Sequence, residues 1–155
     1  MGPSTAEIGV TGSSMPMAEK FKFSHALKVR YAETDAQGHV FFGNYYIYFD
    51  EGLLEYMRAI GYSYQDLLDD GMDLLYVESR CQHHAAAHFD DVLNVHARIG
   101  NIGNSSITFE FSIHKEDPDQ LVGPGYIVAV NVDKASRRPV PVPQALRRAV
   151  REYES

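Results

Sequence analysis

Residues 29–46 form the most distinctive stretch of the chain. They read Val29-Arg30-Tyr31-Ala32-Glu33-Thr34-Asp35-Ala36-Gln37-Gly38-His39-Val40-Phe41-Phe42-Gly43-Asn44-Tyr45-Tyr46. Asp35 follows a predicted strand, Gly38 permits a tight turn, and Phe41–Asn44 open a predicted long helix. An aspartate is therefore expected close to the free backbone N–H groups that every helix leaves at its N-terminus.

Such a placement has a specific chemical use. Backbone N–H groups at a helix N-terminus, aided by the helix dipole, stabilise an oxygen that becomes negative during a reaction. A neighbouring carboxylate can attack a carbonyl carbon or activate a water molecule to do so. Together these groups suffice to hydrolyse an acyl compound with a good leaving group, such as a thioester. The alternative interpretation is structural, because an aspartate in a turn before a helix is commonly a turn former or cap.

The flanking segments predict one strand and one long helix. His25–Tyr31 alternates apolar and polar residues, as a half-buried strand does. The helix extends to about Ile60 and ends at Gly61, and its apolar residues recur every three or four positions. Its predicted buried face consists of Phe49, Leu53, Tyr56 or Met57, and Ile60. Ser63–Asp70 predicts a further helical segment with Ser63 as its N-cap.

The remainder of the chain predicts mostly strands. The four predicted strands are Leu74–His84, Leu93–Ile99, Ile107–Ile113 and Tyr126–Val132. The middle two alternate strictly and are joined by the turn Gly100–Asn104, so they are expected to form a hairpin. Prolines between Pro139 and Pro143 impose an extended segment, and Gln144–Tyr153 predicts a short terminal helix.

This order of elements predicts an α+β fold. Consecutive strands with short connections favour an antiparallel sheet, and the single long helix must bury its apolar face against it. A curved antiparallel sheet of about five strands wrapped around that helix satisfies both requirements. One sheet over one helix makes a thin core, so a second copy of the chain is expected to complete it.

The composition narrows the class of protein. Of the 155 residues, 45% are hydrophobic and 23% charged, which is typical of a globular domain. The net charge of −7 argues against a nucleic-acid partner, and the apolar runs are too short for a membrane span. The single cysteine, Cys81, excludes an intramolecular disulfide. We expect a cytoplasmic protein with a flexible leader over residues 1–20 and a single domain over residues 21–155.

The pattern in Thr34–Tyr45, set between a strand and a long helix that ends in glycine, resembles a known signature. It is similar to that of the hotdog-fold thioesterases of the 4-hydroxybenzoyl-CoA thioesterase family. It also resembles the bacterial acyl-CoA thioesterases that accompany the Tol-Pal system. The likeness covers about Ser24 to Val142, and the order of one strand, one helix and four strands agrees with it. The resemblance implies a hotdog fold and acyl-CoA thioesterase activity.

The resemblance also implies roles for particular residues. Asp35 aligns with the family's catalytic aspartate, and the backbone N–H of Phe42 aligns with the donor to the thioester oxygen. Gly43 stands where some members have proline, which loosens the turn without removing a donor. The substrate-pocket residues that the resemblance implies are His39, Phe41, Asn44 and Tyr45. It further implies a pocket at a dimer interface, a homodimer that pairs into a homotetramer, and no cofactor besides the coenzyme A of the substrate.

Two other clusters need an interpretation. Cys81, His83, His84 and His88 lie close together in sequence, but strand alternation divides them between two faces, and no carboxylate completes a zinc-site spacing. We therefore predict no metal ion there.

Six of the 14 basic residues lie between Lys134 and Arg151, a span without any acidic residue. Lys134, Arg137 and Arg138 could bind the phosphates of coenzyme A. The alternative is an ordinary basic surface on a terminal segment.

We predict an acyl-CoA thioesterase in which Asp35 acts either as nucleophile or as general base. The alternative from another class is a non-catalytic acyl-CoA-binding hotdog module. The aspartate favours the enzyme, because binding alone requires no carboxylate beside a carbonyl group. A dehydratase of the same fold is disfavoured, because its catalytic histidine and acid would be arranged differently. The aromatic residues around the helix start suit either an aromatic or a short aliphatic acyl group.

Overall fold

The computed structural model describes residues 20–155. The strands are β1 (Phe23–Lys28), β2 (Met72–Cys81), β3 (Val92–Ile102), β4 (Ser106–Glu116) and β5 (Asp119–Asp133). The helices are α1 (Asn44–Ile60), α2 (Tyr64–Asp69) and α3 (Gln144–Glu154), and a 3-10 turn spans Tyr31–Glu33. The predicted leader, residues 1–20, lies outside the described residues except for Lys20.

The five strands form one antiparallel sheet in the order β1-β3-β4-β5-β2. Register shifts in three strand pairs mark bulges, which bend and twist strands. Helix α1 packs against β1 and β3, and the ring of Phe49 stacks on that of Phe111 in β4 with centroids 4.5 Å apart. The predicted α+β architecture, an antiparallel sheet around one long helix, is confirmed.

Helix α1 buries the face that its periodicity predicts. Phe49, Leu53, Met57 and Ile60 are all buried against the sheet. Gly52 allows a close approach, because a Cβ atom there would lie 2.6 Å from Cγ1 of Val95 in β3. The helix therefore lies directly against β3.

The ends of the first two helices also agree with the sequence. Gly61 caps α1 in the left-handed conformation, with φ of +93°. Ser63 caps α2 by accepting a hydrogen bond from the backbone N–H of Asp66, whose carboxylate accepts from the N–H of Ser63. These two residues fix the sharp connection between the helices.

Several strand boundaries differ from the prediction, including those of β2, which ends at Cys81 instead of His84, and β4, which continues to Glu116 instead of ending at Ile113. Strand β1 ends at Lys28, and Tyr31, predicted as an inward-facing strand residue, is 77% exposed because a 3-10 turn begins there. Strand β3 continues to Ile102 through a bulge at Gly100, so the hairpin turn is shorter than predicted. Strand β5 begins at Asp119 instead of Tyr126.

The surface retains several large apolar side chains. The exposed ones are Tyr31, Phe41, Phe42, Ile47, Tyr76, Val77 and Phe89. Two of them, Tyr76 and Val77, lie on β2, which is an edge strand of the sheet. None of the helices between residues 20 and 155 has the length and apolar character that crossing a membrane requires.

Candidate active site

The Asp35 turn is a tight antiparallel reversal before α1. The backbone N–H of Asp35 donates to the His39 carbonyl at 2.9 Å, and Thr34 pairs with Val40. Gly38 adopts φ of +86°, which glycine accepts without steric cost, and its N–H donates to the Asp35 carbonyl. The turn therefore holds the aspartate in a fixed backbone conformation.

The two carboxylate oxygens of Asp35 have different surroundings. Oδ1 accepts a hydrogen bond from the backbone N–H of Gln37 at 2.9 Å, so the turn-forming interpretation is correct for this oxygen. Oδ2 faces Nδ1 of His39 at 3.9 Å, which is beyond hydrogen-bond distance. The side chain is 24% exposed, so part of the carboxylate is accessible to solvent.

The start of α1 leaves two backbone donors unused. The N–H groups of Asn44, Tyr45 and Tyr46 donate to the carbonyls three residues earlier. Phe41 donates to the Glu33 carbonyl at 3.0 Å. Within residues 20–155, the N–H groups of Phe42 and the following Gly43 have no acceptor. They lie at the positive end of the helix dipole, where an anionic oxygen is stabilised.

A cleft of about 310 Å³ opens beside these donors. Its lining includes His39, Phe42, Tyr45, His83, His84 and the small residues Ala85 and Ala86. The volume lies at the lower end of the range of small-molecule sites. Asp35 itself is not part of the lining, but its Oδ2 lies 3.9 Å from Nδ1 of the lining residue His39.

The predicted pocket residues differ in what they contact. His39 and Tyr45 line the cleft, and the buried Tyr45 hydroxyl accepts the backbone N–H of Ala87 at 3.3 Å. The half-exposed ring of Phe41 lies against that of Phe42, with centroids 4.9 Å apart. Asn44 instead donates from Nδ2 to the backbone carbonyl of Glu33 at 2.9 Å. Its side chain therefore holds the loop and does not line the cleft.

His83 is a cleft residue that the sequence did not predict. Its ring lies 5.5 Å from that of Tyr45 and 6.1 Å from that of Phe42, centroid to centroid. Burial lowers the pKa of His83 below the ordinary value for histidine. The cleft therefore presents an uncharged imidazole at neutral pH. No sequence signal identifies this residue, because it lies beyond the end of β2 and 48 positions after Asp35.

The other members of the histidine cluster do not assemble into a metal site. Across residues 20–155, no group of three or more His, Cys, Asp or Glu side chains is arranged to hold an ion. Burial raises the pKa of the Cys81 thiol to about 12, which keeps it protonated. Strand alternation does not place these histidines, contrary to the prediction, because β2 ends at Cys81 and the histidines follow it.

The basic residues lie far from the cleft within one chain. Met72, at the start of β2, pairs with Asp133 beside the basic segment, while Cys81 at its other end precedes the cleft. Ten strand residues span roughly 30 Å. Arg137 donates to the Asp73 carboxylate at 2.9 Å, and Lys134 lies 3.5 Å from the Leu68 carbonyl. Arg138 is exposed. One chain thus does not bring these three residues to the cleft.

A model of the Thioesterase-like superfamily matches residues 29–150 of this chain. The match covers most of the chain, which therefore belongs to this superfamily. The resemblance inferred from Thr34–Tyr45 is thereby confirmed.

Individual relatives agree with this assignment. The acyl-CoA thioesterase YbgC of Haemophilus influenzae is 26% identical over 128 residues, or 82% of this chain and 93% of the relative. Among solved structures, the PA5185 protein of Pseudomonas aeruginosa is 29% identical with a TM-score of 0.78, over 89% of this chain and 95% of the other. A 1,4-dihydroxy-2-naphthoyl-CoA thioesterase of Synechocystis shares the fold at 22% identity, with a TM-score of 0.78 over 86% and 98% of the two chains. The hotdog fold is thus confirmed.

Proposed function

We propose that this chain is an acyl-CoA thioesterase that hydrolyses an acyl or aroyl thioester to the free acid and coenzyme A. The observation that carries the proposal has two parts. Within the described chain, Asp35, with one carboxylate oxygen free of hydrogen bonds, lies against the cleft residue His39, and Phe42, whose N–H and that of Gly43 have no acceptor, lines the same cleft. Membership of the superfamily and the names of the relatives support it. The proposed reaction needs no cofactor, because coenzyme A arrives as part of the substrate.

In the proposed reaction, the thioester carbonyl oxygen accepts the N–H of Phe42 at the start of α1. As the tetrahedral intermediate forms, negative charge collects on this oxygen, and the donor and helix dipole stabilise it. Because the donor is a backbone group held in a folded turn, little reorganisation is needed at that moment.

Asp35 has two chemically complete roles. As a nucleophile, its oxygen bonds to the carbonyl carbon, the C–S bond breaks and the thiolate of coenzyme A leaves, and water then hydrolyses the mixed anhydride. As a general base, it takes a proton from water, whose oxygen bonds to the carbonyl carbon, and the departing thiolate receives a proton. Both routes give the free acid and the coenzyme thiol.

For the substrate itself, we propose that His39, Tyr45 and the Phe41 ring contact the acyl group. We further propose that Lys134, Arg137 and Arg138 of a second copy bind the coenzyme phosphates, because the basic segment of one chain is distant from its own cleft. A homodimer that pairs into a homotetramer would supply that copy. The exposed apolar side chains support such an assembly. Since acyl-CoA is an intracellular metabolite, the cytoplasm is the proposed compartment.

The competing function is a non-catalytic acyl-CoA-binding module. Oδ2 of Asp35 has no hydrogen-bond partner within residues 20–155, which favours catalysis over binding alone. A carboxylate beside a carbonyl oxygen contributes nothing to the binding of a thioester. A free-thiol assay with aromatic, short-chain and long-chain acyl-CoAs separates the two. The enzyme releases thiol in multiple turnovers from at least one class. Saturable binding of acyl-CoA without release of thiol from any class would establish the binding module instead.

A further inference from the structure

Glu33 joins the Asp35 turn to the body of α1 through its side chain. Its Oε1 accepts the hydroxyl of Tyr48 at 2.8 Å and the backbone N–H of Arg30 at 2.9 Å. Its Oε2 accepts Nε of Arg30 at 3.0 Å. Tyr48 is 2% exposed and lies one turn into α1, so the contact links the loop to a rigid element.

The backbone of Glu33 makes a second link to the same helix. Its carbonyl oxygen accepts the N–H of Phe41 at 3.0 Å and Nδ2 of Asn44 at 2.9 Å. Glu33 thus accepts five hydrogen bonds, three of them from residues at or beside the start of α1. The residue lies between the two halves of the proposed site.

Glu33 is close in sequence to Asp35, and its hydrogen-bond partner Phe41 precedes Phe42, so its hydrogen bonds bear on both groups of the proposed reaction. Asp35 follows two residues after Glu33, and the N–H of Phe42 follows one residue after Phe41. The bonds at Glu33 therefore set how the carboxylate lies relative to the backbone donor. The rate of a reaction between positioned groups depends steeply on such geometry, and a misplacement of about 1 Å can cost roughly 100-fold.

We propose that Glu33 and Tyr48 form a positioning clamp that aligns Asp35 with the Phe42 N–H for thioester hydrolysis. This inference rests on the proposed function and deepens it by naming residues that act through the catalytic pair. Neither side chain lines the cleft. The clamp therefore governs turnover and not substrate binding.

The ionisation states of Glu33 and Tyr48 keep their hydrogen bond intact at neutral pH. Burial alone raises the pKa of Glu33, but hydrogen bonds from Arg30 and Tyr48 and the charge of Arg30 hold the pKa below its ordinary value. Burial and the bond to Glu33 raise the pKa of Tyr48. At neutral pH a carboxylate acceptor thus faces a phenol donor, and a charged acceptor strengthens the bond.

The experiment compares Tyr48→Phe, Glu33→Gln and Glu33→Ala with a matched control, Tyr62→Phe. Tyr62 is also buried and donates its hydroxyl to Asp70 at 2.6 Å, but it follows the far end of α1. The control thus removes the same kind of bond about 25 Å from the site, given the length of the helix. Thermal unfolding of each variant measures the loss of stability separately from kcat and KM.

We expect Tyr48→Phe to lower kcat about 10-fold and Glu33→Ala up to about 100-fold, with KM changed less than about twofold. Glu33→Gln keeps a carbonyl oxygen that accepts the Tyr48 hydroxyl, so its kcat should exceed that of Glu33→Ala. Tyr62→Phe should lose similar stability to Tyr48→Phe but retain its kcat. In a Glu33→Ala background, Tyr48→Phe should have little further effect on kcat, because the clamp is already open.

Two outcomes would overturn the clamp. One is an unchanged kcat in folded Tyr48→Phe and Glu33→Ala, and the other is a loss of kcat in these variants no larger than that in Tyr62→Phe. Asp35→Asn, measured in the same assay, separates this failure from failure of the proposed function. If Asp35→Asn loses turnover while the clamp variants keep it, only the clamp is wrong. If Asp35→Asn turns over normally, the catalytic assignment of Asp35 fails and the clamp fails with it. Absence of thiol release by the wild type would instead overturn the proposed function.

Discussion

Replacing Arg137 with alanine tests whether this residue is primarily structural. Its Nη1 donates to Oδ2 of Asp73 at 2.9 Å, joining the basic segment to the start of β2. Asp73 is largely buried and also accepts the Tyr64 hydroxyl at 2.6 Å and the Leu74 N–H at 2.8 Å. Arg137→Ala therefore weakens the interactions of this carboxylate without leaving it unpaired.

The expected loss follows from these contacts. A hydrogen bond to a charged group contributes about 1.5–3 kcal/mol, and exposed ion pairs contribute about 0–1 kcal/mol. Because the Arg137 side chain is 47% exposed, we expect a loss of about 1 kcal/mol. For a chain of this size, that loss lowers the thermal midpoint by about 3 °C.

The loss should also depend on pH in a defined direction. Burial raises the pKa of Asp73, but hydrogen bonds from Tyr64, Arg137 and Leu74 and the charge of Arg137 lower the pKa overall. A carboxyl group whose folded pKa is depressed stabilises the fold above its unfolded pKa of about 4 and loses this effect as pH falls through the folded pKa. The difference in stability between wild type and Arg137→Ala is therefore full at pH 7 and shrinks below about pH 4.

Urea unfolding at pH 7 and at about pH 3 measures this difference. Arg138→Ala is the matched control, because no hydrogen bond of the Arg138 guanidinium exists within the described chain and its side chain is exposed. The reasoning is refuted if the two variants lose equal stability at pH 7. It is also refuted if the deficit of Arg137→Ala is the same at both pH values.

Two further predictions concern assembly and the coenzyme. Light scattering at micromolar concentration should give at least twice the chain mass of 17.4 kDa, because the exposed apolar side chains need a partner. A monomer that still hydrolyses acyl-CoA would contradict the proposed assembly. If the basic segment binds phosphates, Arg138→Ala should raise KM for acyl-CoA at constant kcat and leave KM unchanged for a truncated thioester without the nucleotide. An equal KM effect on both substrates would exclude phosphate binding.

The helices were predictable because their signals are local. The three-to-four periodicity from Phe49 to Ile60, the glycine at position 61 and the Ser63 cap each act within a few residues. The strict alternation of β3 and β4 likewise reports burial of one face. These local preferences agree with the global fold, and the predicted elements are confirmed.

The first half of β5 was missed for a reason that is not local. Glycine and proline at positions 123–125 argue against a strand when read in isolation. In the fold, a Cβ atom at Gly125 would lie 2.1 Å from the Arg80 carbonyl and 2.7 Å from the Phe49 ring. A Cβ at Gly123 would lie 2.7 Å from the Gln82 carbonyl. The glycines leave space for the backbone of residues 80–82, which runs beside β5. Only the tertiary structure shows this contact.

The candidate site likewise combines residues that are close in sequence with residues that only the tertiary structure brings together. The Asp35 turn and the start of α1 are contiguous in sequence, so their proximity could be predicted. His83 reaches the cleft on the segment after β2, which backbone hydrogen bonds of Gln82 and His84 hold beside β5. The Glu33–Tyr48 contact depends on how the loop docks on the helix. For Asn44, the resemblance implied a role in the substrate pocket. In the structure its side chain donates a hydrogen bond to the backbone carbonyl of Glu33.

The most direct test of the account is the turnover of Asp35→Asn with an acyl-CoA that the wild type hydrolyses. Asparagine keeps an oxygen that accepts the Gln37 N–H, so the turn and the unfolding midpoint should be preserved. It lacks the charge needed for attack or for accepting a proton. We predict that kcat falls by roughly 10²–10⁴-fold with KM little changed. A folded Asp35→Asn with kcat within about twofold of wild type would contradict the catalytic assignment of Asp35.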